Sequence, residues 1–345
     1  MYLDSLFHGA EKFGASDLHL IVGVPPAYRV NGEIILADQE PLDGDELTAM
    51  VNSMINDDQR KKYERDWELC ISLPRGEHGR VRATIYRRNG NPEFSFRFCS
   101  SKIPTRAELG LPAKLDELVR NRNGLILVTG PTGSGKSTTL NYMVDRINRE
   151  RNCKIITIED PIEYSHVNDK SIVVQLEVMT DTHSFNSALV HVLRQDPDVI
   201  VIGELRGYEA VATALAAAET GHLVLATVHA ANAIQTVERI VGVYEGNTQR
   251  QILLQLANTL HGIISQELFA TPENDRRVLA YELLLANAAV RSIIRQNDLA
   301  QLSSVMQTSA REGMVLMDTT VRDLYARGLI SYDMAASRIR DPKAV

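Results

Sequence analysis

Residues 125–147 carry three signals in succession: an apolar run at 125–129, a glycine-rich loop, and a helical segment at 138–147. The loop reads Gly130-Pro131-Thr132-Gly133-Ser134-Gly135-Lys136-Ser137-Thr138 and fits the pattern G-x-x-x-x-G-K-[ST]. Glycines let the backbone curl until its amide N–H groups converge on phosphate oxygens, and the following helix turns its positive end toward the same point. Gly130, Thr132, Gly133, Ser134, Gly135, Lys136, Ser137 and Thr138 form the candidate nucleotide-binding set. Lys136 is expected to reach the β- and γ-phosphates, and the Ser137 hydroxyl to ligate Mg²⁺. A glycine-rich turn without chemistry is the plain alternative; strand, motif and helix in register weigh against it.

Such a strand needs parallel neighbours, and the sequence offers them. Apolar runs at 155–158, 199–202 and 223–228 alternate with helical segments, which predicts an α/β sheet covered on both faces. Beyond residue 248 the pattern reads mostly helical, clearest at 249–268 and 287–296. The first hundred residues differ. A short amphipathic helix at 4–13 precedes strands at 18–22 and 27–30, and Asn31-Gly32 signals a hairpin. Leu47, Met50, Val51 and Met54 repeat with helical spacing inside 43–65, and residues 80–86 and 93–99 alternate like paired strands around Asn89-Gly90-Asn91. Pro104 and Pro112 mark a linker, so a boundary is expected near 100–112, between a smaller α+β domain at 1–105 and an α/β domain at 113–345. A chain of 345 residues is long enough for two cores.

Three further groups narrow the chemistry. The strand at 199–202 ends in Gly203-Glu204, and a strand's carboxyl end is where a phosphate loop sits in such sheets. Glu204 could there orient an attacking water or hold the Mg²⁺ shell. Glu159-Asp160-Pro161-Ile162-Glu163 closes the strand at 155–158 in the same way, with Glu163 as a second candidate for positioning water or metal. His222 and His229 bracket the strand at 223–228, and His229, at its carboxyl end, could sense the γ-phosphate. Arg80, Arg82 and Arg97 lie on expected strands of the first domain, where they could neutralise charge on a transferred phosphoryl group or simply line a solvated sheet face.

The net charge, 37 − 44 = −7, argues against nucleic-acid binding by bulk electrostatics. Cys70, Cys99 and Cys153 form no CxxC pair, so neither a zinc ribbon nor a disulfide framework is expected. No signal peptide is evident at the start, and no apolar stretch approaches the roughly 18 residues that would cross a bilayer.

Taken together, these motifs resemble the secretion ATPases of type II secretion and type IV pili. The loop 130–138, the acid box 156–164, the acid-ended motif 193–207 and the histidine box 220–233 follow in that family's order. Within it, the chain most resembles the PilT-type pilus retraction ATPases. Its first domain is small and begins near Ala15-Ser16-Asp17-Leu18-His19, and a tetracysteine metal motif is absent. Ala289-Val290-Arg291-Ser292-Ile293-Ile294-Arg295-Gln296 is similar to the retraction enzymes' signature helix. Gly207 where an acid is usual, Ala230 after His229, and Gln296 in place of a terminal Glu set the chain apart as a divergent branch.

The resemblance implies a RecA-like ATPase domain preceded by a PAS-like domain. It implies a homo-hexameric ring that uses ATP and Mg²⁺, with Glu204 as the main catalytic acid and Glu163 and His229 in support. Arg82 and Arg97 would reach the nucleotide from the first domain. It also implies a cytoplasmic protein held at the bacterial inner membrane through a pilus platform protein, retracting the fibre in twitching motility without contacting nucleic acid. Pilus assembly or type II secretion, low-turnover nucleotide sensing and DNA translocation are the alternatives.

Overall fold

The computed structural model describes residues 2–75, 79–98, 102–273 and 276–339. They fall into two compact units. The first unites Met1–Lys102 with two excursions from later in the chain, Asp160–Ser165 and Leu176–His183. It contains α1 (Tyr2–Phe13), β1 (Asp17–Leu20), β2 (Ala27–Val30), β3 (Glu33–Leu36), α2 (Gly44–Met54), α3 (Asp57–Asp66), β4 (Glu68–Pro74), β5 (Arg80–Arg88) and β6 (Asn91–Phe98). Cys99 and residues 100 and 101, where the sequence suggested a strand end and a boundary, lie outside the described residues.

All pairings in this six-stranded sheet, ordered β3-β2-β1-β6-β5-β4, are antiparallel. Both Asn-Gly signals become two-residue hairpin turns: Asn31 and Gly32 have φ of 50° and 90°, and Asn89 and Gly90 51° and 85°. Alternation sends Val81, Ala83, Ile85, Phe94 and Phe96 into the core, where the two phenylalanine rings stack at 5.4 Å. The other face carries polar side chains. The helix expected over 43–65 is two helices, because Asn56 and Gln59 form a capping box that starts α3 afresh. Buried Glu177 fastens both excursions to the sheet. It accepts from the Ser72 and Ile162 amides at 3.3 and 3.1 Å and pairs with Arg80 at 3.2 Å.

The second unit begins with two short helices in the proline linker, α4 (Arg106–Leu109) and α5 (Lys114–Leu118). Then come β7 (Gly124–Thr129), α6 (Lys136–Glu150), β8 (Lys154–Glu159), β9 (Ile172–Glu177), whose end passes into the second excursion, α7 (Phe185–Val192) and β10 (Val199–Ile202). They are followed by α8 (Gly207–Glu219), β11 (Leu223–Val228), α9 (Ala233–Val241), α10 (Gly246–Thr259), β12 (Leu260–Ala270) and β13 (Arg277–Leu285). Helices α11 (Ala288–Gln296), α12 (Leu302–Thr308), α13 (Met317–Ala326) and α14 (Tyr332–Ala336) complete it.

Strands β12, β7, β11, β10 and β8 are parallel neighbours in that order, the RecA-like arrangement. The carboxyl ends of β7, β8, β10 and β11 therefore share one end of the sheet. β7, β10 and β11 are buried at every residue, which is why they read as unbroken apolar runs. One expectation is overturned: the helix over 249–268 stops at Thr259, and the chain continues as β12. β12 lies between β7 and β13 and is mostly buried on both faces, so burial does not alternate along it, and a segment of this kind is compatible with either state until strand pairing decides.

Candidate functional site

The loop after β7 curls around its own lysine. Gly130, Gly133 and Gly135 have φ of 146°, 79° and 88°, values that favour glycine. At Gly130 space matters as well: a Cβ there would lie 2.3 Å from the Gln266 carbonyl oxygen and 2.5 Å from Ser134 Oγ. Lys136 Nζ donates to the carbonyls of Gly130 at 3.0 Å and Pro131 at 2.8 Å. Helix α6 starts at Lys136, so its first backbone donors, which have no partner within the helix, lie at the loop. Ser134 Oγ is buried without a hydrogen-bond partner. A cradle that a Cβ would fill, a buried lysine and a spare hydroxyl fit a polyphosphate. Ser137 opens the first turn with a hard oxygen donor of the kind Mg²⁺ takes.

Glu204 follows β10 on a loop tied to both neighbouring strands. The Gly203 amide donates to Ile158 O at 2.8 Å and the Leu205 amide to Thr227 O at 2.9 Å. Its carboxylate pairs with Arg206 and with His229 Nε2, the latter at 3.3 Å. Burial pushes the Glu204 pKa up, but the Arg206 hydrogen bond and the His229 charge outweigh burial and hold the carboxyl below its ordinary value. His229 in turn sits on a loop fastened beside the phosphate loop. Thr129, the residue before Gly130, exchanges hydrogen bonds through its hydroxyl with the Ala230 carbonyl and amide, at 2.8 and 3.1 Å. The structure thus brings Glu204, His229 and the loop 130–138 to one end of one sheet. His222 occupies the opposite end of β11, where its Nδ1 pairs with Ala217 O at the close of α8.

Asn141 and His166, which no sequence pattern marked, and Glu159, which opens the acid cluster at 159–163, also support this end of the sheet. Asn141 Nδ2 donates to Ser137 O at 2.9 Å, and its Oδ1 meets His166 Nε2 at 2.7 Å. Burial lowers the His166 pKa to about 4, so the neutral ring is the donor in that bond. Glu159, which ends β8, accepts from Thr157 at 2.7 Å and Gln175 at 3.0 Å. Of these, only the position of Glu159 at an apolar strand's end was a signal open to sequence reading. A cavity of about 820 Å³ opens beside the loop, lined by Ser134, Thr138, Gln266, Leu279 and Tyr281 among others. Gln266 Nε2 donates to Thr139 Oγ1 at 2.8 Å, while its side-chain Oε1 is buried without a partner.

The remaining candidates belong to the first unit. Arg82 and Arg97 are directly opposite one another on β5 and β6. Arg82 Nε lies 3.1 Å from Cys70 Sγ, and Arg97 Nε 2.9 Å from Asp17 Oδ1. Glu163 is on the first excursion, half-buried, next to the Ile162 amide that Glu177 holds. Arg80 is committed to Glu177 and to Ser72, which it reaches at 2.6 Å.

Residues 107–276 match the family model described as type II/IV secretion system protein. The chain is 39% identical to the type IV pilus retraction ATPase PilT of Pseudomonas aeruginosa, over 99% of both chains. It is 39% identical to a twitching motility protein of Neisseria gonorrhoeae, over 93% of this chain and 86% of that one. Among solved structures, the pilus retraction motor PilT with bound ADP superposes with a TM-score of 0.90 at 44% identity, covering 99% of this chain and 98% of that one.

Proposed function

The chain belongs to the type II/IV secretion ATPase family, and from that premise we propose that it hydrolyses ATP to power pilus retraction as a six-membered ring. The observation that carries the chemistry is the Glu204–His229 pair, whose histidine stands on a loop that Thr129 ties to the phosphate loop. Retraction, rather than assembly, follows from the full-length likeness to the Pseudomonas aeruginosa enzyme.

In this reading the backbone of 130–135 and the start of α6 bind the phosphates. Lys136 exchanges the Gly130 and Pro131 carbonyls for β- and γ-phosphate oxygens. The cavity bounded by Gln266, Leu279 and Tyr281 takes the nucleoside. Ser137 would hold Mg²⁺, which would supply charge neutralisation for the phosphates. Glu204, kept ionised by Arg206 and His229, orients the attacking water, and His229 reports the γ-phosphate to it. Glu163 is the supporting carboxylate, and Arg82 and Arg97 are the reserve of positive charge for the transferring phosphoryl group.

No helix among the described residues is long and apolar enough to cross a membrane. In this reading a platform protein holds the chain at the inner membrane. Deleting the gene separates the directions of work. Retraction predicts persistent, over-abundant surface fibres that no longer shorten; loss of fibres would assign assembly instead.

A further inference from the structure

Strands β12 and β13 form an antiparallel hairpin with two different faces. Gln266 stands opposite Tyr281, and both line the cavity beside the phosphate loop. One step along, Ser265 stands opposite Glu282. Because successive side chains point to opposite faces, this second pair points away from the cavity. Ser265 is also in register with Thr129 of β7. A buried polar row, Thr129–Ser265–Glu282, therefore crosses three strands at the end of the sheet that carries the site.

Both ends of the row hold the segment that carries His229. Thr129 grips Ala230, as described above. Glu282 Oε1 accepts the amide of Ala233, the first residue of α9, at 2.8 Å. A carboxylate at that point also faces the positive end of the helix. The segment between is fixed by its own contacts: Gln235 Oε1 accepts the Ala231 amide at 3.3 Å, and Arg239 donates to His229 O at 2.8 Å. A buried acid is costly unless it is hydrogen-bonded, and a surface cap such as Asn232 already starts α9. Helix formation alone therefore does not account for Glu282.

We propose that Glu282 is a positioning residue for ATP hydrolysis: it pins the start of α9 to the β12–β13 hairpin and so sets where His229 meets Glu204. The inference rests on the role given to His229 above. It also joins the nucleoside cavity to that histidine, since one hairpin lines the former and anchors the latter.

The test compares Glu282→Ala in the full-length protein with Glu282→Ala in a His229→Ala background, reading kcat and KM for ATP. Glu282→Ala is expected to lower kcat about tenfold with KM within about twofold, since the loss falls on the chemical step and not on ATP capture. In the His229→Ala background the same change is expected to cost less than about twofold, because residues acting as a unit are not additive. Glu282→Gln, which keeps the acceptor, is expected to recover most of the rate. If His229→Ala alone leaves kcat unchanged, the role given to His229 fails. If His229→Ala slows turnover but Glu282→Ala does not, or if Glu282→Ala costs equally in both backgrounds, the positioning inference fails. Should Glu282→Ala not fold, Ala233→Pro removes the donor instead, at a helix position where proline is tolerated. The same two-background comparison then decides.

Discussion

The two units expose their chemistry in opposite ways. In the second, β7, β10 and β11 are buried on both faces, so no strand face is free to act, and the reactive groups stand in the loops where the strands end. In the first, one sheet face is packed with Phe94 and Phe96 while Arg82 and Arg97 stand exposed on the other, with Asp17 buried beside Arg97. A parallel sheet covered by helices concentrates function at one end, where neighbouring loops brace one another. An antiparallel sheet with one bare face spreads polar groups along its strands, where solvent screens them. Groups of the second unit should therefore weigh heavily on rate and exposed groups on the polar face lightly on stability.

The largest effect belongs to Glu204. Glu204→Gln is expected to lower ATP turnover at least about a hundredfold, the scale of a lost positioned base, while ATP binding stays within about threefold. Steady-state hydrolysis and equilibrium binding of a fluorescent ATP analogue read the two quantities. Near-normal turnover would remove the second unit's claim to the chemistry.

Next comes a contrast inside the first unit. Arg80→Ala leaves the carboxylate of Glu177, 2% exposed, without its guanidinium partner, and breaking such a buried pair costs about 3 kcal/mol. Arg97 is 69% exposed, and Arg97→Ala is expected to cost less than about 1 kcal/mol. Urea unfolding followed by Trp67, the one tryptophan of the sequence and a residue of the first unit, measures both. Equal losses would show that burial does not separate the two arginines.

How much of this could be read from the sequence follows from the same contrast. Buried parallel strands declare themselves as apolar runs, and the loop 130–138, Glu204 and His229 follow from being at their ends. The Asn31-Gly32 and Asn89-Gly90 turns were legible because each demands positive φ. β12 was not, since a strand buried between two others loses the period-two pattern that separates it from a helix. Asn141, His166 and Glu282 act through partners 25 to 49 residues away, and no local pattern marks such pairs. The discontinuity of the first unit was hidden for a related reason: the anchor, Glu177, closes contacts with Ser72 and Arg80 across about a hundred residues of chain.

Acid acts on the second unit through His166. His166 is neutral in the folded protein, its pKa lowered to about 4 from 6.5 by burial. Between those values the unfolded chain binds the extra proton, so stability falls as pH falls, by about 1.4 kcal/mol per pH unit. Between pH 7 and pH 5 a loss of about 2 kcal/mol is expected from this group, and the loss levels off below about pH 4. His166→Gln, which keeps a donor for Asn141, should flatten that slope in urea titrations followed by far-ultraviolet circular dichroism. An unchanged slope would place the acid sensitivity elsewhere.

The smallest effect returns to the bare face of the first unit, in a different pH window. Burial raises the Asp17 pKa, but hydrogen bonds from Ser16 and Arg97 outweigh it, and the carboxyl sits below its ordinary 3.8. The sign is that of a depressed acid: the stabilisation is complete above about pH 4 and is lost as pH falls through the folded value. Asp17→Asn should therefore cost less than about 1 kcal/mol at pH 7, because Arg97 is screened by solvent, and should reduce the pH dependence only below about pH 4. Trp67 reports this transition separately from the His166 slope at higher pH. If Asp17→Asn instead weakened the unit by several kcal/mol at pH 7, the polar face would be a structural element on a par with the Phe94–Phe96 core, and the contrast between the two units would fail at its weakest point.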